Sequence, residues 1–473
     1  MASEVAVSAD ESHFLLEGRE GLPRTVFSAK TVRLQKRSTR WHITGRSWFR
    51  SLVASTPVLL APLASFIFYI TLAEFDGSLS DFATAVVQQG FGAVLYAYQP
   101  RFTLKATAAH CCWIVLQAVL ALTLPGPKKY GQPTSTGHVL PYCVNGLSAW
   151  LVTHLVLAYA CWYGILDPAF VPRNWGALVC AMNLAGFSIS LLAFAKAHLI
   201  PTIAEARRFS GCSAYDFYMG IELNPRLGDN FDLKLFTNSR IGMGAWTVID
   251  LSNMAFQYQE YGSIGSSMIL VTILHMIYVL DFFVHEHWYL GTIDIAHEHY
   301  GFYLAWGCFA FLPTTYTLQT QYLSQQRPAP LTAYEAAMFA LGLAGYALFR
   351  SVNHQKDLVR RSLGNCLIWG KPAECIKAPY HTSDGNRGEN LLLVSGWWGW
   401  SRHANYVGDL LLSFSMCALA GSGKLLVWFY VIYMAVLLAH RCVRDEARGS
   451  SKYGAAWEEY CRRVAWRLIP GVW

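Results

Sequence analysis

Charge is what this sequence has least of. Asp, Glu, Lys and Arg together make up 14% of its 473 residues, where soluble globular domains carry about 25%. Such scarcity excludes intrinsic disorder and a coiled coil, which both need a strongly charged surface, and speaks against a nucleic-acid-binding module. No Cys-x-x-Cys pair occurs, and the 12 cysteines are scattered, with only Cys111 and Cys112 close together. Neither a disulfide framework nor a zinc ribbon is implied. Cys161, Cys180 and Cys417 lie inside apolar runs, where a thiol behaves as a small hydrophobe. Residues 1–50 are polar and lack the apolar core of a signal peptide. No dinucleotide fingerprint is present. Gly342-Leu343-Ala344-Gly345 sits within an apolar run with no strand before it, so a Rossmann domain is not available.

What the chain has in abundance is apolar: 54% of its residues are hydrophobic and 14% are aromatic. Stretches near the roughly 20 residues of a membrane span fall at about 52–73, 104–124, 147–166, 176–200, 242–257, 264–284, 301–322, 331–349, 407–421 and 423–439. They predict an all-α polytopic membrane protein of about ten transmembrane helices. The fifth, ninth and tenth are short, as tilted hairpins or half-helices would be. Lys and Arg near span ends set the orientation. Residues 19–50 hold Arg19, Arg24, Lys30, Arg33, Lys36, Arg37, Arg40, Arg46 and Arg50 against one acid, Glu20. That places the N-terminus in the cytosol, together with 201–241, 350–406 and the tail after 440. On the opposite side, 258–263 has no Lys or Arg and 324–330 only Arg327. The expected organisation is a basic cytosolic segment (1–50), an N-terminal set of helices with a cytosolic loop (51–241), and a C-terminal half carrying the chemistry (242–473).

Ionisable groups recur where a bilayer makes them costly. His275, Tyr278, Asp281 and His285 fall within roughly 120° of one helix face, and a carboxylate within a span usually faces the bundle interior and marks function. The plain alternative is an interhelical hydrogen-bond cluster, a choice that Asp250 poses as well. Two triplets, His285-Glu286-His287 and His297-Glu298-His299, carry residue types that suit iron or zinc. On a helix, positions i and i+2 point about 200° apart, so neither triplet chelates from one face, and no metal site is expected. Lys356 and Arg360 share a face at i, i+4. Arg402, Tyr406 and Asp409 line another, and Arg441, Asp445 and Arg448 a third, followed by Lys452, Tyr453 and Tyr460. Three basic faces at one membrane surface suit a polyanionic ligand, because Arg makes bidentate hydrogen bonds to phosphate and Lys offers a compact charge. The plain alternative is positive-inside residues touching lipid headgroups, a reading that the interleaved Asp409 and Asp445 weaken.

The stretch 391–409, Leu391-Leu392-Leu393-Val394-Ser395-Gly396-Trp397-Trp398-Gly399-Trp400-Ser401-Arg402-His403-Ala404-Asn405-Tyr406-Val407-Gly408-Asp409, resembles a signature of the sterol reductases, a family of Δ14-, Δ7- and Δ24(28)-reductases and the lamin B receptor. The tail, His440-Arg441-Cys442-Val443-Arg444-Asp445-Glu446 with Ser451-Lys452-Tyr453-Gly454 and Trp457-Glu458-Glu459-Tyr460, is similar to the second signature. Asn353-His354-Gln355-Lys356-Asp357-Leu358, Thr292-Ile293-Asp294-Ile295 and Met219-Gly220-Ile221-Glu222-Leu223-Asn224-Pro225-Arg226 are most similar to the Δ7 branch. His285, Ala296, Glu298 and Ala404 depart from it. The resemblance implies ten transmembrane helices and NADPH bound from the cytosolic side. Its contacts would be Lys356, Arg360, Leu393, Trp398, Arg402, Asn405, Tyr406, Arg441, Asp445, Lys452, Tyr453 and Tyr460. It also implies Tyr278 as proton donor, polarised by Asp281 and by His275, with apolar walls from the sixth and seventh spans around a membrane-dissolved sterol. The implied activity is NADPH-dependent reduction of the Δ7 double bond of a 5,7-diene sterol in the endoplasmic reticulum membrane. Both termini would be cytosolic, with other sterol-biosynthesis enzymes as associates and no nucleic-acid partner. The Δ14 and Δ24(28) reductions use the same fold and cofactor and stand as alternatives. From other classes come a membrane S-adenosylmethionine-dependent methyltransferase, whose Arg-His-Pro stretch would have Ala404 in place of proline, and a non-catalytic scaffold of the lamin-B-receptor kind.

Overall fold

The computed structural model describes residues 47–134, 137–381 and 387–473. The basic cluster read in 19–46 lies outside the described residues. Each apolar run is helical: Ser47–Glu74, Leu104–Thr123, Gly146–Trp162, Trp175–Leu199, Gly244–Tyr261, Ser266–Val284, a broken segment from Phe302 to Ser324, Ala333–Arg361, Ala404–Leu419 and Phe429–Tyr453. Among the described residues, five helices are long and apolar enough to cross a membrane: Trp48–Glu74, Leu104–Thr123, Trp175–Leu199, Ser266–Val284 and Leu425–Tyr453. Their outer faces carry exposed Leu59, Val115, Leu191, Ile273 and Val436, while Asn183, Asp250, His275 and Gln319 are buried. Apolar outside and polar inside is the arrangement for a hydrocarbon solvent, in which a polar group must find its partners within the protein.

Several helices run beyond their expected limits, and the overrun positions the chemistry. Ala333–Arg361 is 29 residues long and starts in a capping box, Thr332 with Glu335. It carries Lys356 and Arg360 on the same rod as the eighth apolar run. Phe429–Tyr453, of 25 residues, continues past 439 and so carries Arg441, Asp445 and Lys452. Ala404–Leu419 begins early enough to hold Asn405 and Tyr406 in its first turn. The short fifth run is prolonged by a wide π-helical stretch, Phe236–Met243, that is buried throughout.

The all-α expectation needs a correction in small pieces. Four two-stranded antiparallel ribbons occur among the described residues. The longest pairs Cys375–His381 with Arg387–Leu393, in a register from Cys375↔Leu393 to His381↔Arg387. It lies in what composition marks only as a polar insert. Its signal is an alternation in which Ala378 is buried between exposed Lys377 and Pro379, the period of a half-buried strand. Two further helices, Leu79–Gln89 and Phe91–Tyr98, fill the connection between the first two expected spans.

Two contacts set the frame of the C-terminal half. The Ala333–Arg361 and Ala404–Leu419 helices cross where Gly345 meets Gly408: a Cβ on Gly408 would stand 2.6 Å from the Gly345 carbonyl oxygen and from the Phe349 nitrogen. Small residues at a crossing let helix backbones touch, the main route to close packing inside a bilayer. Near the basic end, Arg240 is ion-paired with fully buried Glu286. Glu286 also accepts from the Gly146 backbone N–H at 2.8 Å and the Ser239 hydroxyl at 2.5 Å. The Arg240 guanidinium donates in addition to Asn145 Oδ1 at 2.7 Å. This cluster ties three segments together. Lys234 does the same for the turn after it, its Nζ donating to the carbonyls of Asp294 (2.5 Å), Ile295 (2.9 Å) and Glu298 (2.7 Å).

Candidate active site

At the basic end, five segments close around one cleft. The Ala333–Arg361 helix contributes Lys356, Val359 and Arg360, and the ribbon contributes Asn390 to Leu393. Trp398, Arg402, His403, Asn405 and Tyr406 come from the signature segment, Asp445, Arg448 and Lys452 from the end of Phe429–Tyr453, and Trp457 and Tyr460 from the last helix. The cavity, about 100 Å³, is narrower than the 300–1,000 Å³ usual for small-molecule pockets, and long cationic side chains lie across it. Lys356 Nζ sits 4.5 Å from the Trp398 ring centroid, and Lys452 Nζ 4.2 Å from that of Tyr380. Asn390 Nδ2 donates to the Tyr453 hydroxyl at 2.7 Å, and Trp398 Nε1 to the Val352 carbonyl at 2.9 Å. Buried at the floor, Asn405 leaves its Oδ1 without a hydrogen-bond partner. His403 stacks on Tyr406, ring centroids 5.0 Å apart.

Of the twelve residues that the resemblance implies for the cofactor, eleven line this cleft and Arg441 does not. Arg441 is buried against Asp294, Nη2 to Oδ1 3.3 Å, so it anchors the Thr292–Ile295 motif rather than facing the cavity. Arg402 lines the cleft, yet its guanidinium is engaged by Glu446 (2.5 Å) and the Val464 carbonyl (2.5 Å). Asn390, His403 and Trp457 also line the cleft and were not picked out by the sequence reading. Their signal is faint, since a ribbon residue has no helical spacing to the rest.

Deeper in the bundle, Tyr278 is 6% exposed and its hydroxyl has no hydrogen-bond partner. The expected support from Asp281 is corrected by the geometry. Asp281 accepts from the Tyr346 hydroxyl at 2.9 Å and pairs with Arg350 at 3.3 Å, because the sixth-run helix presents its last turn to the Ala333–Arg361 helix. His275 likewise turns to Asp250, Nδ1 to Oδ2 2.9 Å. A second buried carboxylate, Asp409, comes from the Ala404–Leu419 helix, which packs against the Ser266–Val284 helix. Asp409 is 1% exposed with neither oxygen hydrogen-bonded. Trp246, Tyr316 and Tyr430 enclose the place, with Trp246 5.5 Å from Tyr278, 5.3 Å from Tyr316 and 6.0 Å from Tyr430 by ring centroids. Asp409 stood in the sequence reading only as part of a cleft-mouth face. The same Ala404–Leu419 helix carries Asn405 and Tyr406 at the cleft and Asp409 at this inner place, so the two are continuous along one helix.

The histidine–glutamate triplets serve as scaffold. Besides Glu286, Glu298 is paired with Arg444 and accepts from the Tyr303 hydroxyl at 2.8 Å, and His285 Nε2 lies 2.8 Å from Arg350. An apolar cavity of about 810 Å³ opens elsewhere, among the Leu104–Thr123, Gly146–Trp162, Trp175–Leu199 and Gly244–Tyr261 helices; of the seventh run it touches Phe309 and Pro313, and Tyr278 is not in its wall.

A bundle with an apolar exterior, a cation-lined cleft at one end and an uncommitted tyrosine–aspartate pair within defines a multi-pass membrane protein built for chemistry on a lipid-soluble substrate. Residues 61–473 match the ergosterol biosynthesis ERG4/ERG24 family, and the chain belongs to that family of membrane sterol reductases. It is 44% identical over 385 residues to a 7-dehydrocholesterol reductase of Danio rerio, covering 79% of this chain and 80% of that one. To the 7-dehydrocholesterol reductase of Xenopus laevis it is 46% identical, over 79% and 81%. A Delta(14)-sterol reductase of Methylotuvimicrobium alcaliphilum is 36% identical, over 91% and 95%.

Proposed function

We propose that this sterol reductase uses NADPH to saturate the Δ7 double bond of a 5,7-diene sterol. The observation that carries the reading is the pairing of two places on one helix: the cation-lined cleft at its start and the buried Tyr278–Asp409 pair about one turn further in. Identity reaches 44–46% with two Δ7 reductases and 36–39% with the Δ14 enzymes; two further Δ7 reductases stand at 35–38%, so the support for the Δ7 position comes from the two highest identities. The residues of the cleft fit the cofactor. Lys356, Arg360, Arg448 and Lys452 would hold phosphates, Trp398 and Tyr406 offer stacking faces, and the unpartnered Asn405 Oδ1 would accept from a carboxamide N–H. When bound, a reduced nicotinamide supplies hydride. The chain's own task is the proton. Tyr278 holds one where water is excluded, and the Asp409 carboxylate is placed to stabilise positive charge as it develops on the protonated sterol. In this reading the ten apolar helices all span the endoplasmic reticulum membrane, the basic end faces the cytosol, and 242–473 holds both places. Expression in cells lacking their sterol reductases, with sterols followed by mass spectrometry, tests it. Disappearance of accumulated 5,7-dienes is expected; loss of 8,14-dienes instead would move the activity to the Δ14 position.

A further inference from the structure

At the end of the bundle opposite the cleft lies a second polar place. A cavity of about 460 Å³ is lined by Glu74, Arg101, Arg173, Asn253, Gln321 and Ser324 among others. It belongs to the far end, where the Tyr261 hydroxyl donates to the Gln325 carbonyl at 2.9 Å and Gln326 Nε2 to Asp76 at 2.8 Å. From its wall a file of hydrogen bonds runs inward. Asn253 Nδ2 donates to Thr320 Oγ1 at 3.2 Å. The Thr320 hydroxyl donates to Asp250 Oδ1 at 2.7 Å. Asp250 Oδ2 meets His275 Nδ1 at 2.9 Å. Asp250 and His275 are fully buried, and His275 Nε2 has no partner. One turn on, along the same helix, stands the Tyr278 hydroxyl, also without a partner. Trp246 packs against both rings, 5.0 Å from His275 and 5.5 Å from Tyr278 by centroids.

We propose that this file is the proton supply of the reaction, with Thr320, Asp250 and His275 recharging Tyr278 from the cavity remote from the cofactor. The inference rests on the reductase reading above. Each alkene reduced consumes one hydride, from the reduced nicotinamide, and one proton. The Tyr278 O–H breaks as a C–H bond forms on the sterol, and a phenolate is left in a dry, apolar box. It must regain a proton before the next turnover. His275 gives it one from Nε2 while Nδ1 takes another from Asp250, and Asp250 is refilled through the Thr320 hydroxyl by a proton from cavity water admitted past Asn253, the residue of the cavity wall that bonds to Thr320. The imidazole is left with its proton on Nδ1, and a turn of the ring about its Cβ–Cγ bond carries that N–H back to the Tyr278 side before the next turnover. The Thr320 hydroxyl has two acceptors, Asp250 Oδ1 at 2.7 Å and the Thr317 carbonyl at 3.1 Å, and the shorter contact points its proton to Asp250. One proton enters per sterol and none accumulates. A merely structural staple needs the Asp250–His275 contact, but it has no use for a buried His275 Nε2 left without a partner, or for a hydroxyl that joins Asp250 to the Asn253 of a polar cavity wall. Ionisable chains inside membranes that serve proton transfer have this form.

The test uses the full-length enzyme in proteoliposomes with a 5,7-diene sterol, comparing the wild type with His275→Phe, Asp250→Asn and Thr320→Val. Isotope effects on kcat are read from D₂O and from nicotinamide deuterated at the transferred position. If the file delivers the proton, turnover falls at least about tenfold. The solvent effect rises while the hydride effect shrinks toward one, and Thr320→Ser restores both toward wild type. Nucleotide affinity, measured separately, stays within about twofold. Variants that lose turnover with both isotope effects unchanged, or that keep wild-type turnover, overturn the relay. A wild-type protein that reduces no sterol overturns the reductase reading instead.

Discussion

At the residue scale, what marks this site is polar atoms left without partners in a setting that penalises them. Tyr278 and Asp409 are both buried and unsatisfied, although a buried polar group without a hydrogen bond costs about 1–3 kcal/mol. Tyr278→Phe is therefore expected to fold at least as well as the parent and to bind NADPH with unchanged affinity, while losing most turnover, about a hundredfold or more; normal turnover in steady-state assays would remove Tyr278 from the chemistry. His403, at the mouth, gives a pH prediction. Burial pushes its imidazole from 6.5 down to about 4, so the folded protein keeps it neutral while the unfolded chain takes up a proton. Its contribution to stability is fully present above about 6.5 and is lost as pH falls from there toward 4. Unfolding midpoints followed between pH 7 and 5 should decline, and less steeply in His403→Gln. An identical slope in the two proteins would show that His403 contributes nothing to the pH response.

At the scale of elements, helix overrun and one glycine crossing assemble the cleft. Lys356 and Arg360 face Tyr406 because the rods that carry them meet backbone to backbone at Gly345 and Gly408. Gly408→Val places three carbons where no space exists, forcing the rods apart just below the cleft. The expected result is nucleotide affinity weakened by about tenfold or more, measured by titration on protein that remains monodisperse. An affinity equal to wild type would mean that the crossing does not set the cleft. This element was half legible. Gly342 and Gly345 stand out in the sequence, but their four-residue neighbourhood carries no sign of which helix they approach. The 375–393 ribbon was hidden for a related reason, since its alternation is short and sits within polar composition.

At the scale of the whole molecule, buried ion pairs tie the N-terminal helices to the C-terminal half. Glu286 bonds at once to Arg240, Ser239 and the backbone of Gly146. Glu286→Ala strands a buried guanidinium and should cost about 3–5 kcal/mol of stability, read as a lowered unfolding midpoint in detergent; an unchanged midpoint would make the cluster dispensable. The sequence by itself determined which segments are helical and apolar and that basic residues gather at one end of them, because hydropathy and helical spacing are local properties of a chain. It also determined the family, through signatures that are contiguous in the sequence. Only the tertiary structure decided partners. Arg441 turned from the cleft to Asp294, Asp281 turned to Tyr346 and Arg350, and Asp409 was buried with neither oxygen hydrogen-bonded. Which face of one helix meets another depends on rotation and crossing, set by packing between segments far apart in the chain, and no period along a single helix encodes it.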